Sequence, residues 1–269
     1  MSLIQTIQDI PYAKYGDRKL LLDLYLPAPA KQPRPAVLCV VGGGWRFSDK
    51  TGYVEAGTAL AQTGYVAAAL TYRVSSEVIA PGNVHDCKAA VRWLRANGTK
   101  YGIDPARIGA MGSSAGGHLV ALLGTTNGCP ELEGTGGNPG QSSAVQAVCD
   151  FCGPSDLTRI AQPEIRKQFA LLYEVTAAYL GGPVEERTAL AHLVSPLHHA
   201  SPATVPMLII HGTKDEVVPV DESIILYDAL KKNRTDVTLH LAKGANHGLP
   251  WETHAQKVLA FFRRTLERR

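Results

Sequence analysis

The chain has little of what would place it outside ordinary globular proteins. It carries five cysteines in 269 residues, an odd number in a chain too large to need a disulfide framework. Cys39 and Cys87 fall in apolar runs, as small core residues do. Cys149-x-x-Cys152 has the spacing of a redox or metal pair, but no second pair or histidine cluster completes it. No apolar run reaches the roughly 18–20 residues of a membrane span. The N-terminal residues 1–7 show no basic segment followed by a long apolar one, so no signal peptide is visible and the compartment is left open. Charge of one sign is also scarce. The net charge is +3, and Arg263, Arg264, Arg268 and Arg269 of the final helix read as a solvated face. Neither nucleic acid nor membrane is expected as a partner.

Hydrophobic residues make up 45 % of the chain, enough for a sizeable core, and the length suits one large α/β domain over 1–269. Residues 19–26 read as an early strand ended by the proline-rich segment 27–35. Short apolar runs at 36–41, 65–72, 107–111, 147–151, 206–211 and 238–242 read as strands. Helical patterns fall at 54–62, 83–96, 114–124, 221–232 and 251–268. Alternation of this kind predicts a mostly parallel central sheet with helices on both faces. Residues 156–203 break the alternation and include an aromatic stretch, 169–179; they are expected to form a small helical cap insertion over a site.

One stretch organises the rest: Met111-Gly112-Ser113-Ser114-Ala115-Gly116-Gly117. A buried strand precedes it and an apolar helix follows. A serine between glycines at such a turn is held with its hydroxyl exposed, because the turn leaves no room for flanking side chains. By itself the pentapeptide is also compatible with Ser113-Ser114 merely capping a helix.

A serine hydroxyl needs a base within hydrogen-bond reach, and the base needs a carboxylate to orient it. On a sheet of this kind they follow in the order serine, acid, histidine, each from a loop at a strand's C-terminal end. Asp215 lies just past 206–211, and His247 lies just past 238–242 among Gly244-Ala-Asn-His-Gly248. Asp150 is the main rival acid; Glu216 and Asp221 are better explained as turn or cap residues. Of the other histidines, His118 and His211 read as locally bonded structural residues, His192, His198 and His199 lie in the cap segment, and His240 and His254 lie within a strand and a helix. Gly42-Gly43-Gly44, after the strand at 36–41, is placed to supply oxyanion donors together with the N–H of Ala115. The other use of such a loop, cradling a phosphate, lacks the Gly-Lys-Ser/Thr that would follow it.

On Gly42-Gly43-Gly44-Trp45-Arg46, Arg107-Ile-Gly-Ala-Met-Gly-Ser-Ser-Ala-Gly-Gly-His-Leu119, Asp150-Phe-Cys-Gly-Pro-Ser-Asp156, His211-Gly-Thr-Lys-Asp215 and Asn246-His247-Gly248, the chain resembles the α/β-hydrolase superfamily over nearly its whole length. More narrowly it resembles esterases related to hormone-sensitive lipase, of the bacterial feruloyl and acetylxylan esterase-like (BD-FAE) group. The resemblance implies Ser114, Asp215 and His247 as a catalytic triad, amides of Gly43, Gly44 and Ala115 as oxyanion hole, Trp45 at the bound substrate, and no metal or cofactor. It implies a serine carboxylesterase for small acyl esters, acetyl or feruloyl esters of plant carbohydrate among them. An arylformamidase-type amidase or a peptidase on the same fold is the alternative. Further off is a non-catalytic binding protein, although relatives of that kind have lost the triad histidine and this chain keeps His247. One departure stands out: the family's His-Gly-Gly-Gly has Val41 in place of its histidine here.

Overall fold

The computed structural model describes residues 4–28 and 32–267. In chain order the elements are β1 (Gln5–Tyr15), β2 (Arg18–Leu26), β3 (Arg34–Val40), α1 (Val54–Gln62), β4 (Val66–Leu70), α2 (Gly82–Ala96), α3 (Gly98–Tyr101), β5 (Ile103–Ser113), α4 (Ala115–Thr125), β6 (Ala147–Phe151), α5 (Pro163–Gln168), α6 (Ala170–Leu180), α7 (Thr188–Leu193), β7 (Met207–Gly212), α8 (Val220–Lys232), β8 (Val237–Ala242) and α9 (Trp251–Leu266). The strands form one sheet in the order β1-β2-β4-β3-β5-β6-β7-β8. The β1–β2 and β2–β4 pairs are antiparallel, and all pairs from β4 to β8 are parallel. This is the α/β-hydrolase fold.

The two faces of the sheet bury two cores, and the period-2 alternation of strand side chains divides them. Ala36, Leu38 and Val40 of β3 join the core shared with α2, α4 and α8, while Val37 and Cys39 join the one under α1 and α9. Strands buried on both faces need continuous apolar sequence, and for that reason β3–β7 are readable as apolar runs.

Strand β1 was not expected. Its residues are mostly exposed, it slips register between Ile7 and Ile10 and between Pro11 and Ala13, and Asp9 has a φ of +57°. An edge strand with bulges carries no clean alternation. The last helix, expected over 251–268, ends at Leu266; Arg268 and Arg269 lie outside the described residues. Residues 156–203, between β6 and β7, hold α5, α6, α7 and short 3₁₀ turns. No helix among the described residues is long and apolar enough to cross a membrane.

Candidate active site

Ser114 is the single residue between β5 and α4. Its φ of +56° and ψ of −122° are outside the regions open to most side chains, a strain of about 1–3 kcal/mol that persists only when neighbours fix it. The neighbours are evident. The Ser114 N–H donates to the Phe151 carbonyl at 2.7 Å, and the Ser114 carbonyl accepts from the His118 N–H at 2.9 Å. A Cβ at Gly112 would overlap the Gly116 carbonyl, and one at Gly116 would overlap the Val40 carbonyl. Glycine is required at both places by close approach, as the turn predicts.

Asp215 follows β7, and His247 follows β8. Their loops are joined by the Lys214 N–H donating to Ala245 O at 2.8 Å and the Gly244 N–H donating to Thr213 Oγ1 at 2.9 Å. That seam brings Asp215 Oδ2 to 2.7 Å from His247 Nδ1. Asp215 Oδ1 accepts from the N–H groups of Val217 and Val218 at 2.8 and 2.9 Å. His211 also faces this carboxylate, its Nε2 lying 3.1 Å from both the Val218 carbonyl and Asp215 Oδ2 while its Nδ1 meets Ser223 Oγ at 2.6 Å. Burial raises the Asp215 pKa, but the bonds from His211, His247, Val218 and Val217 outweigh it and hold the carboxyl well below the usual range. The carboxylate is therefore ionised and fixed, with the Nδ1 proton of His247 drawn toward it. That leaves Nε2 as the ring's free basic atom.

Ser114 and His247 line one cavity of about 650 Å³. Gly43, Gly44, Trp45 and Ala115 line it too, as do Leu171, Leu172 and Val175 of α6. The N–H groups of Gly43, Gly44 and Ala115 have no acceptor among the described residues. Positive φ at Gly43 and Gly44 (+115° and +58°) turns this loop beside the serine. Trp45 lines the cavity, yet its ring is only 1 % exposed, stacked on Tyr179 at a centroid distance of 4.6 Å, with Nε1–H donating to His118 Nδ1 at 3.3 Å.

The rivals sit elsewhere. Asp150 accepts from the Gly153 N–H at 2.9 Å, and burial pushes its carboxyl up to about 6; no histidine donates to it among the described residues. Cys149 and Cys152 are both free, buried thiols. Cys152 lines the cavity, where its Sγ, a carboxylate oxygen of Asp215 and a ring nitrogen of His247 all lie within 4.8 Å of one another. Burial, then the nearby Asp215 and Asp150, raises its thiol far above its ordinary value, so it stays protonated and is no rival nucleophile. The position of Cys152 was not legible beforehand, nor was the approach of His211 to Asp215; both depend on how three loops meet.

His118 is fully buried, with Nε2–H donating to Val194 O at 2.6 Å, and burial lowers its pKa to about 4 despite that bond. The unfolded chain takes up this proton near pH 6.5. The folded chain does so only near pH 4. The stabilising contribution is complete above pH 6.5 and is lost as the pH falls toward 4, a change of about 3 kcal/mol at 1.36 kcal/mol per pKa unit. Urea titrations at pH 7 and pH 4.5 are expected to show that loss, and it should shrink in His118→Asn.

A family model described as BD-FAE matches residues 22–230. The chain is 31 % identical over 240 residues to the esterase LipC of Mycobacterium tuberculosis, covering 87 % of this chain and 58 % of that protein. To the isoprenylcysteine α-carbonyl methylesterase ICME of Arabidopsis thaliana it is 28 % identical over 240 residues, 87 % of this chain and 55 % of that one. The chain thus spans a little over half the length of the curated relatives it matches. Among solved structures it is similar to a truncated carbohydrate esterase from gut microbiota, with a TM-score of 0.87, 27 % identity, and coverage of 98 % and 97 % of the two chains. Thermogutta terrifontis esterase 2 phosphonylated by sarin gives a TM-score of 0.82 at 29 % identity, covering 98 % of this chain and 94 % of that one.

Proposed function

The chain belongs to the BD-FAE family, and from that membership and the geometry of the site we propose that it is a serine carboxylesterase acting on small acyl esters. Ser114 Oγ attacks the ester carbonyl while His247 Nε2 takes its proton. Asp215 holds the ring in the tautomer that makes Nε2 the base. The tetrahedral oxyanion is received by the amides of Gly43, Gly44 and Ala115, and His247 returns the proton to the departing alcohol. Water then repeats the sequence on the acyl-enzyme.

The observation that carries this reading is the 2.7 Å bond from Asp215 to His247, made at the cavity that Ser114 enters from its strained turn. Supporting the substrate class, the lining is mostly apolar, and its one Lys or Arg, Arg46, is paired with Glu174 of α6 at 2.8 Å. A volume of about 650 Å³ is within the span usual for small-molecule sites. Residues 156–203 act as the cap, with α6 forming one wall. Acetyl or feruloyl esters of carbohydrate are the proposed natural class, supported by the carbohydrate esterase among the structural neighbours.

The test is turnover of p-nitrophenyl acetate, butyrate and octanoate, methyl ferulate, acetylated xylan and N-formylkynurenine, run beside Ser114→Ala. Ester hydrolysis lost in the variant supports the proposal; preference for the formamide would move the assignment to an amidase. The cap wall makes its own prediction. Leu172→Ala enlarges the cavity, so the octanoate-to-acetate ratio of kcat/KM is expected to rise about 4-fold for each methylene newly buried, at about 0.8 kcal/mol per methylene. The ratio, measured on one preparation, is independent of any loss of folded protein.

A further inference from the structure

We infer that Tyr72 and His118, two side chains outside the loop at 41–47, hold that loop in the shape that presents its amides to Ser114, and that both are positioning residues of the reaction. The inference rests on the hydrolytic reading above, since the loop's shape matters to turnover only if Gly43 and Gly44 receive an oxyanion.

The loop has reason to need holding. Gly43, Gly44 and Trp45 are three consecutive residues with positive φ, the last at +56° and bearing a large side chain. Such a run persists only where its surroundings over-determine it. There is also no slack against the nucleophile, because a Cβ at Gly42 would stand 2.7 Å from the Ser113 carbonyl oxygen and 3.0 Å from the Ser114 Cβ. The loop's own bonds are two backbone ones, the Gly43 carbonyl accepting from the N–H groups of Arg46 and Phe47 at 3.0 and 3.3 Å. Val41 and the three glycines have no polar side-chain atom.

The further holding groups come from outside. The Tyr72 hydroxyl, fully buried, lies 3.2 Å from the Val41 carbonyl and 3.1 Å from the Phe47 carbonyl, so one O–H is shared between the loop's two ends. Tyr72 is itself tied back, its N–H donating to Ser48 Oγ at 2.7 Å. At the loop's centre, the Trp45 carbonyl accepts from the Ser75 N–H at 2.8 Å, and Trp45 Nε1–H donates to His118 Nδ1 at 3.3 Å. His118 stands on α4, one turn past Ser114, and its other nitrogen is anchored on Val194 O of the cap segment at 2.6 Å. One ring therefore references the loop's donors to the helix whose first amide, that of Ala115, is the third donor. Misplacement of such donors by about 1 Å is enough to cost large factors in rate.

The test compares Tyr72→Phe, which removes one oxygen atom, with Trp45→Phe, His118→Leu and His118→Asn. Competent sites are counted by titration with a p-nitrophenyl phosphonate, and binding of a trifluoromethyl ketone reports oxyanion stabilisation. Tyr72→Phe, Trp45→Phe and His118→Leu are expected to lower kcat per titrated site about 10-fold, below the 10²–10³ lost with a whole donor. KM should stay within about 2-fold, and the inhibition constant of the ketone should rise by the same factor as kcat falls. His118→Asn, whose amide oxygen can accept from the indole, should recover part of the loss. A purely structural role would lower the number of titrated sites and leave kcat per site at the wild-type value, and that result overturns the inference. Should the substitutions at 45 and 118 not fold, Tyr72→Phe decides it alone. Full activity in Ser114→Ala would overturn the hydrolytic reading instead, so the two failures are separable.

Discussion

Ser114→Ala is expected to lower kcat for p-nitrophenyl acetate by about 10⁴–10⁶ while the protein stays folded, because no second nucleophile stands ready. The Cys152 thiol faces the same cavity, but burial and two carboxylates keep it protonated. What activity remains comes from the oxyanion donors and from substrate binding, neither of which the substitution touches. Stability should change little. The hydroxyl makes no hydrogen bond among the described residues, and the backbone bonds that fix the turn, donated by Ser114 N–H to Phe151 O and by His118 N–H to Ser114 O, are unaltered. The melting temperature is expected within about 2 °C of wild type, a shift typical of substitutions that remove no packing or buried partner. Circular dichroism melts and initial rates on one preparation check both halves.

Asp215→Asn should cost about 10⁴ in kcat, for a reason that the hydrogen bonds make specific. In the wild type, Oδ1 accepts from the N–H groups of Val217 and Val218, and Oδ2 faces the rings of His247 and His211. An asparagine keeps its oxygen on the two backbone amides, since an NH₂ there would confront two donors. Its NH₂ then faces His247 Nδ1, which must become an acceptor. The ring proton moves to Nε2, and the atom that should take the Ser114 proton already holds one. The variant is expected to recover partly as pH rises, when hydroxide can attack without the base, and its KM should change little. Combined with Ser114→Ala it should add almost nothing, because the two residues act as one unit. A loss under 10-fold would mean that His247 is not oriented through Asp215.

Several parts of this arrangement were readable in the sequence, and physical reasons separate them from the rest. Strands β3 to β7 were readable because burial on both faces leaves mostly apolar residues, with Asp150 and His211 as buried exceptions near strand ends. The turn at Ser114 was readable because steric crowding at Gly112 and Gly116 admits only glycine, which leaves a trace in the sequence. Asp215 and His247 were readable as strand-end positions in chain order, and the structure places them 2.7 Å apart. Strand β1 was not, since an exposed, bulged edge has no periodicity to read. The side chains that meet across loops also left no local pattern. Tyr72 is one apolar-run residue among many until its hydroxyl is found between the carbonyls of Val41 and Phe47.

The most direct measurement is to treat the protein with paraoxon and map the adduct by peptide mass spectrometry. One diethyl phosphoryl group per chain is expected, on Ser114, formed at a rate that falls sharply in Asp215→Asn and His247→Ala. An adduct on another residue, or none on folded protein that hydrolyses esters, would contradict Ser114 as the nucleophile.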